Sequence, residues 1–525
     1  MKTNKVINAQ EAVELIQDGQ TIGIAVSGHA GMPEELFEAI SERFLKTGHP
    51  KNITVTHGAG SGDFQDNGGT ATISHDGLIK KIITAYIGAS PKTAKMAAED
   101  KIECYFFPQG VVTQLFGEIA RKSPGLISRV GLGTFVDPRI EGGKVNNVSK
   151  EDLVKLIDIE GEEYLFFKSF PIHFALLRGT TADTNGNMSI EKEGKIMESL
   201  PLAQAAKASG GKVIIQVETL VEPGTLHPAS VVVPGIYVDH IVVAQKPQRQ
   251  TMGTLFNRSF SGEVKIPASN VNPLPLNADK IICRRAAMEV LPGPVNFGIG
   301  IPQGIGNVLS EEGVADLVTT VSEIGNIGGI PGVGLDFGHH YNAEARIPHH
   351  SSHIWFDGGS LKQAFFGLAQ TDKEGNVNAA KFSGKMVGPG GFINVTAGCQ
   401  EPIFCGTLTA RGLEAKIEGG KIAIAKEGTE KKFLDQVEQI SFSGKQARKD
   451  GKHCLYITER CVFELRDEGM TIIEIAPGID LEKDILAQMN FKPVISPDLK
   501  LMPEGIFKPE WGELKSILEA KLKNK

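Results

Sequence analysis

The sequence has few cysteines and no long apolar run. Its six cysteines lie at positions 104, 283, 399, 405, 454 and 461, and no two of them form a C-x-x-C pair. Zinc ribbons and dithiol redox motifs need such pairs, so both are excluded, and we expect reduced, mostly buried thiols in a cytoplasmic protein. Because no run of 18 or more apolar residues occurs, we also expect no transmembrane helix.

Positive charge is in short supply as well. The chain has 55 Lys and Arg residues against 62 Asp and Glu residues, for a formal net charge of -7. Surfaces that bind nucleic acids need clustered Lys and Arg, so we expect no nucleic-acid partner. A small anionic ligand held by backbone N–H groups is still compatible with this charge. The first 20 residues lack an apolar signal core, and we expect no membrane association.

Glycine is the residue in excess. It accounts for 61 of 525 residues, roughly 12% against a typical usage of about 7%. Proline, with 27 residues, is near its usual level, so the bias is neither collagen-like nor low-complexity. The glycines therefore indicate tight turns, or places where the backbone comes close to a ligand.

Short apolar runs alternate with helical patterns along the chain. We predict strands at 22–26, 52–57, 212–218 and 240–245, and helices at 32–45 and 90–101. This alternation predicts an α/β fold with largely parallel sheets. A polar, weakly periodic stretch at 246–275 is interpreted as a linker between an N-terminal domain at 1–245 and a C-terminal domain at 276–525.

Three features recur in the same order in the two halves. GMPE at 31–34 is echoed by GIPQ at 300–303, DTNGN at 183–187 by DKEGN at 372–376, and the glycine pair 210–211 before KVIIQV by the pair 390–391 before FINV. Each D-x-x-G-N alone is only a turn. Three ordered echoes favour a duplicated domain, with an insertion of about 80 residues in the N-half, which separates its first two features more widely.

Two glycine-rich loops are candidates for ligand contact. The loop from Gly28 to Gly31 lies between a predicted strand and a predicted helix, a layout that offers N–H groups to an anion, but a plain tight turn explains it equally well. It matches neither G-x-G-x-x-G nor the P-loop, which argues against NAD and ATP. The segment 296–306 has four glycines at 298–306, which favours close approach of a phosphate or pantetheine arm over a simple turn.

Glu323 is the best single candidate for a nucleophile or base. It is a lone carboxylate between a strand-like run at 316–321 and a glycine-rich segment at 325–334. Carboxylates are rarely buried without a partner or a task, although a turn or cap carboxylate is the alternative here. The GPGG sequence at 388–391 is predicted to open a strand, and such a turn either aims N–H groups at an oxyanion or is only a turn.

Five of the 13 histidines lie close together, at positions 339, 340, 349, 350 and 353. The segment contains no H-E-x-x-H and no predicted helical i, i+4 pair, and adjacent histidine pairs fit no single tetrahedral site. We therefore predict a solvated or interface loop and no metal, although a metal-dependent enzyme stays open and would be sensitive to chelators. No G-x-S-x-G motif supports a serine hydrolase.

The sequence resembles the family I coenzyme A transferases, most of all the single-chain bacterial acetate/propionate group in which two homologous halves are fused. The resemblance spans nearly the whole chain. It is carried by GTFVDPR at 133–139, FPIHFALLRGT at 170–180, VPGIYVDHIVVA at 233–244, NFGIGIP at 296–302, SEIGNIGGIPGVG at 322–334, FDGGS at 356–360, GPGGFINVTAG at 388–398, YITERCVFEL at 456–465 and EIAPGIDLEKDILAQM at 474–489. It implies two open α/β domains packed together, with the active site between them.

The resemblance also implies roles for individual residues. It places the catalytic glutamate at Glu323, the oxyanion-hole amide at Gln109 and the backbone donor of that hole at Gly388. It implies coenzyme A contacts at Gly298, Ile299, Gly300, Ile301, Pro302, Gly390 and Gly391. It implies substrate contacts at Gly28, Gly31, Asn326, Gly328 and Gly329. The histidine cluster departs from the family's usual pattern and leaves the acyl specificity open.

The implied reaction is reversible transfer of coenzyme A between a short-chain acyl-CoA and a free carboxylic acid, of the acetate and propionate class, by ping-pong chemistry through a glutamyl-CoA thioester. We expect no metal and no cofactor beyond coenzyme A itself, and a homo-oligomer, dimer or tetramer. Two alternatives stay open. One is an acyl-CoA hydrolase on the same scaffold, and the other is a ligand-binding regulator that has lost catalysis.

Overall fold

The structure is a computed structural model that describes residues 5–267 and 273–523. Residues 268–272 of the predicted linker lie outside the described residues, as do 1–4 and 524–525 at the outer ends of the two predicted domains. The described residues form two α/β halves, each arranged around a large sheet.

The sheet of the N-half is parallel throughout. Its strands are β1 (Thr21–Ile24), β2 (Ile53–His57), β3 (Ile79–Thr84), β4 (Glu103–Phe106), β5 (Phe174–Arg178), β6 (Lys212–Val217) and β7 (His240–Val243). Across the sheet they run in the order β7-β6-β5-β1-β2-β3-β4. The strands are short, apolar and largely buried, as parallel strands covered on both faces must be. The four strands predicted from sequence in this half are all confirmed.

The C-half has a mixed sheet. Its strands are β8 (Gly293–Phe297), β9 (Val318–Thr320), β10 (Gln363–Gly367), β11 (Glu401–Cys405), β12 (Leu455–Ile457), β13 (Cys461–Arg466), β14 (Gly469–Ile475) and β15 (Val494–Leu501). They run in the order β9-β8-β10-β11-β12-β13-β14-β15. The first five are parallel, β12 to β14 are antiparallel, and β15 pairs parallel to β14.

Helices connect and cover these strands. The α-helices are α1 (Ala9–Glu14), α2 (Glu34–Thr47), α3 (Pro91–Ala98), α4 (Gln109–Ala120), α5 (Ser199–Ala208), α6 (Arg258–Ser261), α7 (Ala278–Ala287), α8 (Gly304–Glu311), α9 (His349–Asp357), α10 (Phe392–Gly398), α11 (Gly444–Lys449) and α12 (Leu514–Lys523). The two helices predicted from sequence correspond to α2 and α3. Helix α2 has acidic residues in its first turn and ends at Gly48, which adopts the left-handed conformation that favours glycine.

Short strands and single helical turns fill the connections. Small sheets pair 125–128, 162–168 and 154–159; 219–221, 181–183, 188–189 and 231–233; 326–327 with 345–346; 330–331 with 340–341; 377–378, 370–372 and 433–434; 381–382 with 385–386; 409–410 with 430–431; and 414–418 with 421–426. Tight helical turns lie at 69–73, 228–230, 301–303, 315–317, 334–336, 486–488 and 504–507, and a wider π-helical turn lies at 481–485.

The two sheets share a core order, which agrees with duplication. Strands β2, β1, β5, β6 and β7 occupy the same successive places as β9, β8, β10, β11 and β12. The N-half sheet continues beyond β2 with β3 and β4, and the small sheet at 125–168 follows them, which is where the sequence predicts its insertion. The two D-x-x-G-N turns also match, because Asp183 and Asp372 each accept a backbone and a side-chain hydrogen bond from the asparagine four residues on.

The third echo differs in structure. The pair 210–211 precedes strand β6 as predicted, but the pair 390–391 precedes helix α10 and not a strand. The prediction that the GPGG turn opens a strand is therefore wrong. A four-residue apolar run fits either element, and the helix forms here because its buried face packs against the other half of the molecule.

The halves share a hydrophobic core at their contact. The cluster around the N-half sheet includes Ile324, Ala380, Met386 and Ile393, which all belong to the C-half. All six cysteines lie within the described residues and are buried and unpaired, as predicted. The segments around Glu323 and the GPGG turn are thereby fixed against the N-half by apolar packing.

Candidate active site

Glu323 lies in a turn just beyond the carboxyl end of β9. Ser322 and Gly325 close this turn, since the Gly325 N–H donates to the Ser322 carbonyl at 3.0 Å. The next side chain, Ile324, is buried in the core of the N-half. The Glu323 carboxylate is therefore held at the contact between the halves, at the end of a parallel strand, where open α/β sheets bind their ligands.

Gln109 approaches from the N-half. It follows β4 and is the first residue of α4, and its side chain is buried. Its backbone N–H donates to the carbonyl of Gly390 at 3.3 Å. This bond joins the beginning of α4 to the GPGG turn of the C-half, so the sequence-predicted pair of Gln109 and the glycines does come together.

The glycines of the GPGG turn line the carboxylate. A methyl group added at Gly391 would lie 2.8 Å from Cγ of Glu323, so only glycine allows this approach. The N–H of Gly388 donates to the Ala380 carbonyl at 3.0 Å and that of Gly390 to the Ala85 carbonyl at 2.9 Å. Both groups are therefore occupied, including the one expected to serve the oxyanion. The N–H of Gly391 donates to no other residue in the described part of the chain.

Lys195 supplies positive charge near Glu323. Its side chain is buried, and its Nζ donates to Ser27 Oγ and to the Phe337 carbonyl, both at 3.1 Å. Burial lowers the pKa of Lys195 to about 8, and the Glu323 carboxylate opposes that shift. Burial also raises the pKa of Glu323, and Lys195 partly opposes it. Burial and the nearby cation therefore act on the pKa of Glu323 in opposite directions.

A second polar network joins the halves beside Gln109. Asn394 of α10 accepts the Gly110 N–H at 2.9 Å and donates to Asp357 at 2.8 Å. The other oxygen of Asp357 accepts from Gln114 of α4 at 2.7 Å. Burial raises the pKa of Asp357 to about 6. These bonds hold α4, α9 and α10 in register and so position both Gln109 and the GPGG turn.

Of the two alternatives predicted for the histidine cluster, the solvated loop is wrong, and the cluster lies at the contact between the two halves. His339, His340, His349 and His353 are buried, and only His350 is partly exposed. His349 and His353 are four residues apart on helix α9, with ring centroids 5.1 Å apart, so the helical i, i+4 pair missed in the sequence is present. The solvated alternative fails because the contact between the two halves buries a segment that looks polar in isolation.

The predicted coenzyme A loop is exposed at Ile299 and Gly300, whereas Pro302 at its end is buried. It follows β8 and contains Gly298 and Gly300, with the Ile299 side chain 58% exposed. Ile301 and Pro302 begin the helical turn that leads into α8. An apolar side chain presented on a loop at the carboxyl end of a parallel strand is available to a ligand.

The predicted substrate-contact glycines serve mainly to shape loops. The Gly28 N–H donates to the Gly60 carbonyl at 2.7 Å, and Gly31 packs against the backbone of Ala25. The Gly328 carbonyl accepts from His340 Nδ1 at 2.8 Å, and the Gly329 carbonyl accepts from the Thr320 hydroxyl. These contacts favour the tight-turn explanation of the first loop.

Asn326 has a more specific environment. Its buried Nδ2 donates to the carbonyls of Gly194 at 3.1 Å and Gly338 at 2.7 Å. It thereby ties the turn that carries Glu323 to the segment that carries Lys195. Its Oδ1 is buried without a hydrogen-bond partner among the described residues.

Within residues 5–267 and 273–523, no three His, Cys, Asp or Glu side chains are grouped so that they could bind one metal ion. In the same part of the chain, no helix combines the length and the apolar character needed to cross a bilayer.

Sequence reasoning missed two residues of this region outright. Lys195 and Glu198 lie in a short polar segment, EGKIMES, that has no periodicity and no motif. His349 did give a signal, as part of the histidine cluster, but its partners come from other elements. Only the packing of the halves brings these side chains to the site.

Comparisons with known proteins identify the family of this chain. The family model described as coenzyme A transferase matches residues 6–244. Caffeate CoA-transferase of Acetobacterium woodii is 49% identical over 98% of this chain and 99% of its own. Acetate CoA-transferase YdiF of Escherichia coli K12 is 43% identical over 96% and 95%.

Solved structures give the same result. The apoenzyme of acyl-CoA transferase YdiF from Escherichia coli O157:H7 superimposes with a TM-score of 0.92, at 41% identity and 97% coverage of both chains. A thioester complex of that protein with CoA has a TM-score of 0.91 at 40% identity, with the same coverage. The chain described here belongs to the coenzyme A transferase family, and it is a CoA-transferase of α/β fold.

Proposed function

We propose that this CoA-transferase moves coenzyme A between a short-chain acyl-CoA and a free carboxylic acid, with Glu323 as the nucleophile. The observation that carries the proposal is the close approach of Gly391 to Glu323, together with the bond from the Gln109 backbone N–H to the Gly390 carbonyl, which brings Gln109 of the other half to the same turn. A carboxylate beside two donors is suited to acyl exchange, because the nucleophile and the stabilisation of the oxyanion are both provided.

The proposed reaction has two half-reactions. The Glu323 carboxylate attacks the thioester carbonyl of the acyl-CoA, and the C–S bond breaks to give a mixed anhydride and CoA thiolate. The thiolate then attacks the glutamyl carbonyl of the anhydride, which forms the glutamyl-CoA thioester and releases the first acid. The acceptor carboxylate reverses both steps, so the kinetics are ping-pong. The thioester complex of YdiF with CoA supports this course.

Each attack creates an oxyanion that needs donors. We propose that the Gln109 side-chain amide and the Gly391 N–H supply them, since the N–H of Gly388 is occupied by Ala380. Gly388 then serves by shaping the turn: its φ of +96° suits glycine, and its Cα approaches the Ala85 backbone.

The remaining site residues divide by their contacts. We propose that coenzyme A contacts the exposed loop of Gly298, Ile299, Gly300, Ile301 and Pro302, together with Gly390 and Gly391. Asn326 is the proposed substrate contact, because its buried Oδ1 has no partner among the described residues. Gly28, Gly31, Gly328 and Gly329 support the pocket through the shape of their loops.

The acid substrate is proposed to be acetate or propionate. YdiF is named for acetate, and the relative from Acetobacterium woodii is named for caffeate, at similar identity. A methylene in an apolar pocket changes discrimination by only about 1–3 kcal/mol, so butyrate and acetoacetate belong in the same test. A panel of acids with acetyl-CoA as donor, caffeate included, ranks them by kcat/KM. Preference for caffeate would overturn the short-chain assignment.

Trapping tests the nucleophile. The protein is incubated with acetyl-CoA, reduced with borohydride and digested, and the peptide that contains Glu323 is weighed by mass spectrometry. We expect a modified Glu323 in the unaltered protein, and neither adduct nor transfer in Glu323→Ala. Substantial transfer by Glu323→Ala, or a ternary-complex rate pattern, would remove Glu323 from this role. Release of CoA without an acid acceptor would favour the hydrolase alternative.

Three coarser features complete the proposal. We propose domains at 1–245 and 276–525 joined by 246–275, a homo-oligomer of two or four chains, and a cytoplasmic location without metal. Light scattering of the purified chain measures the oligomeric state. Activity that survives exhaustive chelation supports the assignment without metal.

A further inference from the structure

A chain of buried hydrogen bonds lies behind the Gln109 amide. Nε2 of Gln109 is 2.8 Å from Nε2 of His349, and Nδ1 of His349 is 2.6 Å from Oε2 of Glu198. All three side chains are buried, with at most 3% exposed. Gln109 and His349 begin helices α4 and α9, and Glu198 directly precedes α5.

Backbone contacts also hold these three hydrogen-bonded side chains in place. We call them the Gln109 relay (Gln109, His349 and Glu198). The His349 N–H donates to the Ile196 carbonyl at 2.8 Å, and Ile196 and Pro348 form a β-bridge between the halves. Glu198 is therefore held opposite His349 by main-chain bonds two residues away. A geometry that both main chain and side chains impose is suited to orienting a third group.

The donor and acceptor atoms of the three side chains determine the direction of the hydrogen bonds in the relay. The amide nitrogen of Gln109 can only donate, so Nε2 of His349 has to accept. The imidazole proton then lies on Nδ1 and is donated to Glu198. One N–H of the Gln109 amide is used in this way, and the second is left for another acceptor.

Gly58 follows β2 and lies beside the relay. A methyl group there would lie 2.5 Å from Cγ2 of Thr113, its closest contact, and 3.2 Å from Oε1 of Glu198. Glycine at this position therefore leaves room first for Thr113 and also for the Glu198 carboxylate.

We infer that Glu198 and His349 are positioning residues that fix the Gln109 amide with its free N–H toward the oxyanion formed at Glu323. Without the relay, the amide rotates about its last side-chain torsion and can present its oxygen to the oxyanion, which repels it. Donors that are already oriented before the reaction are the ones that stabilise a transition state most. This inference rests on the proposed role of Gln109 as an oxyanion donor.

The test compares kcat and KM of single and double variants with acetyl-CoA and acetate. We expect Gln109→Ala to lower kcat roughly 10²- to 10³-fold, as for other oxyanion donors. Replacing His349 by leucine should lower kcat by less, with little change in KM for acetyl-CoA. In the Gln109→Ala background, His349→Leu should lower kcat no further, because the group that it orients is already gone.

Conservative variants guard against loss of folding. His349→Gln can place an amide oxygen where Nε2 accepts, so it should recover much of the activity that His349→Leu loses. Glu198→Gln keeps the size of the side chain but replaces an acceptor-only carboxylate by an amide that can present either its oxygen or its NH₂ group to Nδ1, so an intermediate kcat is expected. His350→Gln, the same change one residue along and outside the relay, is the matched control and should keep normal kcat. Thermal melting checks each variant for folding.

The outcomes separate the two proposals. If Gln109→Ala keeps normal kcat, the oxyanion role of Gln109 is wrong and the inference falls with it. If Gln109→Ala is slow but His349→Gln, Glu198→Gln and folded His349→Leu are all normal, the relay alone is overturned. If His349→Leu lowers kcat by the same factor in the unaltered protein and in the Gln109→Ala variant, His349 does not act through Gln109 and has only a structural role.

Discussion

The second strand of each sheet ends in different chemistry, although β2 and β9 occupy corresponding places. Beyond β9 the chain turns at Glu323, whose carboxylate is held at the contact between the halves. At the end of β2 stands His57, a buried residue whose Nδ1 lies 2.6 Å from the Ala59 carbonyl and 2.9 Å from the Thr84 hydroxyl. Burial lowers the pKa of His57 to about 4, and the Ala59 carbonyl and the Glu198 carboxylate partly oppose that shift.

The difference shows how a duplicated fold makes an asymmetric site. Duplication offers the carboxyl end of the same strand twice, but a reaction needs one nucleophile and a set of groups around it. The C-half supplies Glu323 and the GPGG turn. The N-half supplies Gln109, Lys195 and Glu198, and glycine at position 58 where the C-half has its glutamate turn. The two halves share a fold, but each supplies different residues to the candidate site.

Exchanging the strand-end residues gives the largest expected contrast. Glu323→Gln should lower transfer roughly 10⁴-fold or more, because the proposed nucleophile is lost. His57→Gln should leave kcat near normal but lower the free energy of unfolding by about 1–3 kcal/mol, because buried hydrogen bonds are lost. Steady-state kinetics and urea unfolding measure the two effects. A His57→Gln protein that is stable but inactive would contradict the assignment of catalysis to Glu323 and of stability to His57.

Substitutions in the two glycine pairs also test the comparison of the two halves. Their expected effect on kcat is smaller than that of Glu323→Gln. Gly391→Ala places a methyl group against Cγ of Glu323 and should lower kcat on the order of 10²-fold, as displacement of a reacting group by about 1 Å does. Gly211→Ala, in the echoed pair, would press on the backbone of Ile172 and His173. It should lower stability by about 1–3 kcal/mol with little change in kcat. Equal kcat losses in both variants would contradict the comparison.

The smallest effect concerns charge. Lys195 is cationic below its pKa of about 8 and favours the Glu323 carboxylate. Lys195→Met should raise the Glu323 pKa further, so the acid limb of the pH profile of kcat/KM moves to higher pH. The control is Lys192→Met, an exposed lysine paired with Glu218 at 2.6 Å, which should leave the limb in place. An acid limb that moves to lower pH in Lys195→Met would show that the coupling is wrong.

Much of the fold could be predicted from the sequence because it depends on residues that are close together along the chain. Buried parallel strands are continuous apolar runs, and β1, β2, β6 and β7 are recognisable on that basis alone. The D-x-x-G-N turns are equally local, since one aspartate accepts hydrogen bonds within four residues. The segment 392–398 could not be assigned in this way, because a short apolar run after glycines suits a strand and a helix equally.

The candidate site also has features that could be predicted from the sequence and features that could not. By itself the sequence determined the alternating architecture, the ordered echoes and the carboxylate of Glu323 at a strand end, since each depends on neighbours along the chain. Only the tertiary structure decided what surrounds that carboxylate: the engaged N–H of Gly388, the buried Lys195, and the bonds from Gln109 to His349 and Glu198. Those contacts join residues far apart in sequence, and a side chain's partner across a domain contact depends on packing that no local pattern records.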